Sequence, residues 1–171
     1  MRIRTAAYGL AAMTGVAIGA LPAQAQEKPK PAPRPSVQGQ VDEQLAKFPG
    51  GTQSSPNEVT YSNGRVTVTF PTPVDPAAQA CVANTYCFYD GANFTGRKLT
   101  FRDCGGWQYL TDYGFGNKTS SWHNKSKNNV QVYDEEASPR KQLWSEQPDA
   151  SSVNVGSAAY NKADSFLTYC P

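Results

Sequence analysis

One spacing that occurs twice does most to limit what this chain can fold into. Phe88-Tyr89-Asp90 is followed by Asn117-Lys118-Thr119-Ser120-Ser121, and Val132-Tyr133-Asp134 by Asn161-Lys162-Ala163-Asp164-Ser165. The interval from Tyr89 to Asn117 is 28 positions, and the interval from Tyr133 to Asn161 is also 28. Equal intervals between paired motifs mark a duplicated unit. Two copies of such a unit bury a shared core between them. Around these motifs, short aromatic-rich stretches alternate with Gly, Asn, Asp and Ser. Strands are predicted over Thr85–Asp90, Arg97–Phe101, Trp107–Leu110, Ser121–Asn124, Val130–Tyr133, Lys141–Trp144, Ser152–Val155 and Ser165–Tyr169. Regularly spaced short strands with turn signals imply an all-β sandwich or barrel built from Greek keys.

The start of the chain has the form of an export signal. Arg2 and Arg4 precede an uncharged apolar stretch from Ala6 to Leu21, and Ala23-Gln24-Ala25 is an A-x-A cleavage site. Residues 1–25 are therefore expected to be a signal peptide, and the mature protein to be secreted and extracellular. The apolar run falls short of the roughly 20 residues a span needs, so no membrane span is expected. The chain has 16 basic and 14 acidic residues. Arg2 and Arg4 leave with the signal, which makes the mature protein neutral. It then has no basic field for nucleic acid or anionic membrane.

Residues 26–40 read as a Pro-rich linker, since EKPKPAPRP alternates proline with charge. Residues 41–80 read as a short helix, a hairpin and a second linker. Val41, Leu45 and Phe48 share one helical face, and Pro49-Gly50-Gly51 ends it. Glu58 to Phe70 alternates around Asn63-Gly64, the signature of a two-residue type I′ turn. A lone hairpin is marginal in water, so this one is expected to pack on the protein or a partner.

Cys81, Cys87, Cys104 and Cys170 are the four cysteines. An even count in an exported chain reads as two disulfides, with three pairings open. Zinc is disfavoured, because there is no C-x-x-C and His123 is the only histidine. A catalytic dyad would have to use His123, which has no nucleophile elbow near it, and oxidised cysteines offer no thiol. Asp134, Glu135 and Glu136 read as a solvated turn. No enzyme is expected. Trp107, Tyr109, Tyr113, Phe115 and Trp122 cluster in one stretch, and most are expected to fill the core of a small β domain.

Phe88-Tyr89-Asp90-Gly91-Ala92-Asn93-Phe94-Thr95-Gly96 resembles the opening of a βγ-crystallin Greek key. In that pattern an aromatic is followed after six residues by glycine, as Tyr89 is by Gly96, with Phe94 inside the fold-over. Tyr133 opens the second copy, where Arg140 stands in place of the glycine. Cys81-x5-Cys87 just before the first strand resembles the actinobacterial secreted peptidase (metalloproteinase) inhibitors of this fold. The resemblance covers residues 81–171 and implies a βγ-crystallin-like Greek-key sandwich, preceded here by the short helix and β-hairpin. It also implies Cys81–Cys87 and Cys104–Cys170 bridges, and an extracellular peptidase as partner.

Many modules of this fold bind calcium, and the matched oxygens would come from Asn117, Lys118, Ser120, Asn161, Lys162 and Asp164. Both stretches lack the leading acid or amide, with Gly116 and Tyr160 in its place. No other cofactor is implied. An inhibitory loop is expected at Ser138-Pro139-Arg140-Lys141 or at Cys104-Gly105-Gly106. The alternatives are a calcium-binding structural or envelope protein and a killer-toxin-like antimicrobial.

Overall fold

The computed structural model describes residues 35–72 and 80–170. The signal peptide, most of the Pro-rich linker and most of the second linker lie outside the described residues.

The described residues form a two-sheet sandwich with one α-helix. Helix α1 (Val37–Lys47) comes first, then strands β1 (Thr52–Ser55), β2 (Glu58–Tyr61) and β3 (Val66–Thr69). The duplicated region supplies β4 (Tyr86–Tyr89), β5 (Lys98–Phe101), β6 (Gly106–Tyr109) and β7 (Ser121–Asn124). It then supplies β8 (Asn129–Asp134), β9 (Lys141–Glu146), β10 (Ser151–Ser152) and β11 (Ser165–Tyr169). The first sheet runs β1-β2-β3-β5-β4-β7-β10 and the second β6-β11-β8-β9, with every pairing antiparallel. The two copies are β4 to β7 and β8 to β11. Each places its third strand, β6 or β10, in the other copy's sheet. This exchange makes the sandwich a βγ-crystallin-like pair of Greek keys.

The equal spacing in sequence becomes equal hydrogen bonding. Ser120 N–H donates to Tyr89 O at 2.8 Å, and Asp164 N–H donates to Tyr133 O at 3.0 Å. Asn117 and Asn161 both take φ of 55°, a left-handed turn that asparagine tolerates. The core between the sheets is aromatic. Phe101 meets Tyr86 at 5.5 Å with rings 7° apart, and Phe166 of the opposite sheet at 4.7 Å. Such pairs contribute about 0.5–1.5 kcal/mol beyond the area they bury.

Four sequence expectations change. The helix starts at Val37, because Ser36 Oγ accepts the Gly39 N–H at 3.0 Å and caps it, so the linker ends before residue 37. The hairpin turn is not a two-residue type I′. Tyr61 pairs with Val66, leaving four connecting residues, of which Ser62, Asn63 and Gly64 all have positive φ. Strand β1 was not foreseen, since Thr52-Gln53-Ser54-Ser55 has no apolar alternation; it forms by pairing with β2. Strand β10 is only two residues long and stops before Val153.

The hairpin packs on the protein itself. Strand β3 pairs with β5 through four residues, so β1 to β3 extend the first sheet. Val41, Val59, Val66, Val68 and Phe70 join the common core. Gln44 Nε2 donates to Tyr61 Oη and to Tyr113 O, both at 3.0 Å, which ties α1 down. The ring of Phe48 lies over Gly114, where a Cβ would come within 2.6 Å of it. Residue 80 is therefore not a boundary of packing.

Glu146 is fully buried at the end of β9. Trp144 Nε1 donates to its Oε1 at 3.0 Å, and Oε2 has no hydrogen-bond partner among the described residues. Burial pushes its carboxyl up to about 8 from an ordinary 4.5, so the folded protein holds a proton there at neutral pH. The stability this lends is complete below about 4.5 and is lost as pH rises towards about 8. Thermal melts between those limits should show wild-type stability falling on the order of 5 kcal/mol, and Glu146→Gln should flatten the fall. A wild-type melting temperature that does not change with pH would contradict this account of the buried acid.

Candidate functional site

The tip between β8 and β9, residues 134–141, is braced from beneath and exposed on top. Asp134 Oδ1 accepts the N–H groups of Glu136 at 3.0 Å and Ala137 at 3.1 Å, an Asx-type turn. Glu135 is held at three points. Its N–H donates to Asp164 Oδ2 at 3.2 Å, Arg140 Nε donates to its Oε2 at 2.7 Å, and the buried Ser165 hydroxyl donates to its Oε1. Asn117 Nδ2 donates to Glu136 Oε1 at 2.8 Å, so the first copy's motif supports the second copy's tip. The Arg140 guanidinium lies 4.1 Å from the centre of the Trp107 ring, which itself meets Tyr133 at 5.0 Å. Ser138, Pro139 and Lys141 remain exposed above these contacts.

This arrangement separates the two expected loops. Thr168 pairs with Gly106 and Val130, whereas Ser165 pairs with Tyr109 and Tyr133. The glycine loop and the tip therefore sit at opposite ends of the second sheet. At the glycine loop, Gly105 and Gly106 have φ of 86° and 87°, and Gly105 N–H donates to Thr168 Oγ1 at 2.8 Å. Cys104 bonds to Cys170 there, and Cys81 bonds to Cys87 at the other bridge. The Cys104–Cys170 loop corresponds to about 4 kcal/mol in the chain-entropy account.

The two calcium stretches lie side by side. Asn117 N–H donates to Ala163 O at 2.8 Å, and Leu110 N–H donates to Asp164 O at 2.7 Å. The first stretch does not fit a cation well: it has no carboxylate, and the Ser120 hydroxyl donates to Asp90 O at 3.1 Å. The second has the Asp164 carboxylate. Burial raises its pKa most, the Glu135 N–H opposes this, and Glu136, Asp134 and Glu135 add to it by charge. Lys118 is exposed at the surface, as are Asn161 and Lys162. Among the described residues no three His, Cys, Asp or Glu side chains form a metal-holding group.

The fold-over of the first copy is built by the residues singled out for it. Tyr89 and Phe94 meet at 5.5 Å edge to face, and Gly96 has φ of 80° with Asp90 Oδ1 only 2.0 Å from where a Cβ would lie. In the second copy Arg140 takes the place of that glycine, and its side chain folds back over Trp107. His123 packs on Phe94 at 5.6 Å, and burial, then Lys125, lowers its pKa. Of the clustered aromatics, Phe115 and Trp122 are buried and Tyr113 packs against the core, as expected. Trp107 and Tyr109 are exposed instead. Sequence reasoning missed the Trp107–Arg140–Glu135 contact. The available signal was register: Arg140 stands 44 positions after Gly96, as Tyr133 does after Tyr89.

Residues 74–138 match the model of peptidase inhibitor family I36. No curated protein matches the chain in sequence. A βγ-crystallin domain from Clostridium beijerinckii is similar in structure, with 21% identity, a TM-score of 0.41, and coverage of 50% of this chain and 97% of that one. A structure concerned with the evolution of the eye lens beta-gamma-crystallin domain fold gives 8% identity, a TM-score of 0.45, and coverage of 62% and 98%. The exchange of third strands between the two sheets is what makes the fold a βγ-crystallin-like pair of Greek keys. Over the matched segment, which is less than half of the chain, it resembles peptidase inhibitor family I36. The family match and the two disulfides point to an extracellular protein. Among the described residues no helix is long and apolar enough to cross a membrane.

Trypsin can test the bracing of the tip, since Arg140 and Lys141 are both cleavage sites. Glu135→Ala removes the acceptor for Arg140 and for the buried Ser165 hydroxyl, a loss of about 1–3 kcal/mol for the unpaired hydroxyl. The variant should be cut at residue 140 or 141 under conditions where wild type is not. Equal cleavage of the two proteins would show that Glu135 does not order the tip.

Proposed function

We propose that this chain is a secreted inhibitor of an extracellular peptidase, and that it acts through the tip loop 134–141. The observation that carries this reading is the match of residues 74–138 to an inhibitor family, which takes in Glu135 and runs to Ser138. The physical support is the loop itself. An inhibitor that binds like a substrate gains affinity when its loop loses little freedom on binding. Here Glu135 is fixed through its backbone and both carboxylate oxygens, while Ser138 and Pro139 stay free to enter a cleft. Strands β8 and β9 pair on either side of the tip, so a cut in the loop would leave both ends held in place and able to rejoin. Arg140 is tied to Glu135 and Trp107, which favours contact through Ser138, Pro139 and Lys141 over an Arg140 side chain reaching into a pocket.

The test is a titration of the oxidised mature protein against a panel of secreted metallo- and serine peptidases. Residual activity would be followed, with a gel for the fate of the inhibitor. Stoichiometric loss of activity with the inhibitor largely intact is expected, and replacing Ser138-Pro139 with Gly-Gly should weaken it at least tenfold. Digestion of the protein, or full activity across the panel, would overturn the reading.

A calcium-binding structural role is the second reading. Asp164 supports it as the one carboxylate within the two matched stretches, since calcium sites usually include carboxylate oxygens. On that reading calcium would raise the melting temperature of wild type and not of Asp164→Ala.

A further inference from the structure

The tip loop carries side chains suited to very different peptidase pockets. Glu135 and Glu136 are acidic, Arg140 and Lys141 are basic, and Ala137, Ser138 and Pro139 are small and uncharged. A peptidase that takes a loop as it takes a substrate admits one side chain to its main specificity pocket, and the pocket's depth and charge must suit that side chain. The bonds within the tip decide which side chain is free to enter. Glu135 uses both carboxylate oxygens, one for the Ser165 hydroxyl and one for Arg140 Nε. Glu136 Oε1 accepts from Asn117 Nδ2 at 2.8 Å. The Arg140 guanidinium sits 2.7 Å from Glu135 Oε2 and 4.1 Å from the centre of the Trp107 ring. Drawing Arg140 into a pocket would break the ion pair and the ring contact together. Lys141 is exposed but stands at the foot of the loop, opposite Asp134 in the ladder. Ala137 is half-buried, and Asp134 Oδ1 accepts its N–H at 3.1 Å. Ser138 and Pro139 form the exposed crown, and among the described residues no side chain holds either of them. A pocket filled by Pro139 would pull the next residue, Arg140, into the cleft and off Glu135.

We propose, resting on the inhibitor reading above, that Ser138 is the residue that fills the main specificity pocket, and that the target peptidase has a shallow, uncharged pocket selective for small side chains. Ser138 enters such a pocket without disturbing any brace of the tip, so the loop binds in the shape it already has. A deep apolar pocket would be left mostly empty by a serine, and every lost methylene contact there weakens recognition. An acidic pocket would call for Arg140 or Lys141, and a basic one for Glu135 or Glu136. Apart from Lys141, which lies below the crown, each of these would have to give up a bond to enter, and that cost works against the charged classes of peptidase. The residue after Ser138 adds a second effect. Proline has no N–H, and its ring crowds the leaving side of the bond. Ser138–Pro139 is therefore a poor bond to cut, which suits a loop that is bound as a substrate and stays intact.

The test titrates the full mature, oxidised protein against peptidases that differ in this pocket. Elastase takes small side chains, chymotrypsin aromatic ones and trypsin basic ones. A glutamate-specific peptidase and a metallopeptidase selective for bulky apolar side chains complete the set. Wild type is expected to inhibit the elastase type at concentrations that leave the others fully active. Ser138→Lys should transfer inhibition to trypsin and Ser138→Phe to chymotrypsin, each gaining and losing by roughly tenfold or more. Lys141→Ala should keep the wild-type pattern. Ser138 is exposed, so melting and circular dichroism of both Ser138 variants should match wild type and show that the change lies in recognition. Trypsin inhibition by wild type that Lys141→Ala abolishes would overturn the assignment and leave the inhibitor reading standing. So would inhibition confined to the metallopeptidase, or Ser138 variants that keep the wild-type pattern. Full activity of every peptidase with every variant would overturn the inhibitor reading and this assignment with it.

Discussion

The exchange of the third strands holds this molecule together. Strand β6 leaves the first copy to pair with β11, and β10 leaves the second to pair with β7. Neither sheet is complete without a strand from the other copy, so the two copies close one core. Phe101 on the first sheet lies against Phe166 on the second at 4.7 Å, with Tyr86 and Phe88 around them. An aromatic cluster formed by both sheets gives the sandwich its stability and fixes how the sheets face each other.

The useful surfaces follow from that arrangement. Because β6 lies beside β11, Trp107 comes within reach of Tyr133 and Arg140, residues of the other copy. The same exchange brings Asn117 to Glu136. The tip loop of the second copy is therefore held by side chains of the first, and loop order is tied to core order. Helix α1 and strands β1 to β3 add to the edge at β5. They cover an otherwise open strand with an edge made of Thr, Gln and Ser, which is poorly suited to aggregation. The Cys104–Cys170 bridge joins the entry of β6 to the exit of β11, fixing the end of the sheet away from the tip.

Much of this was legible in the chain. The repeated interval pointed to two copies, and the strands expected over Ser121–Asn124 and Ser165–Tyr169 are β7 and β11 at their observed bounds. The disulfide pairing implied by the family resemblance is the one the structure holds. The misses have physical causes. Strand β1 has no apolar face, so periodicity could not reveal a strand that exists through backbone pairing alone. The turn after Tyr61 takes four residues because three in succession adopt positive φ, which the Asn-Gly pair by itself did not signal. The Ser36 cap was hidden by the prolines before it. The brace under the tip joins Trp107 to Arg140 across two strands, and only the strand exchange puts them together. The aromatic stretch misled for a related reason: alternation along β6 sends Trp107 and Tyr109 to the face away from the core.

The central claim is that a tip loop ordered by the other copy makes the protein–peptidase contact. Hydrogen–deuterium exchange of the inhibited complex, compared with the free protein, addresses it directly. The account requires slow exchange in residues 134–141 already in the free protein, with further protection there in the complex and little change at Gly105 and Gly106. Protection centred on the glycine loop or on the added strands β1 to β3, with residues 134–141 unaffected, would contradict it.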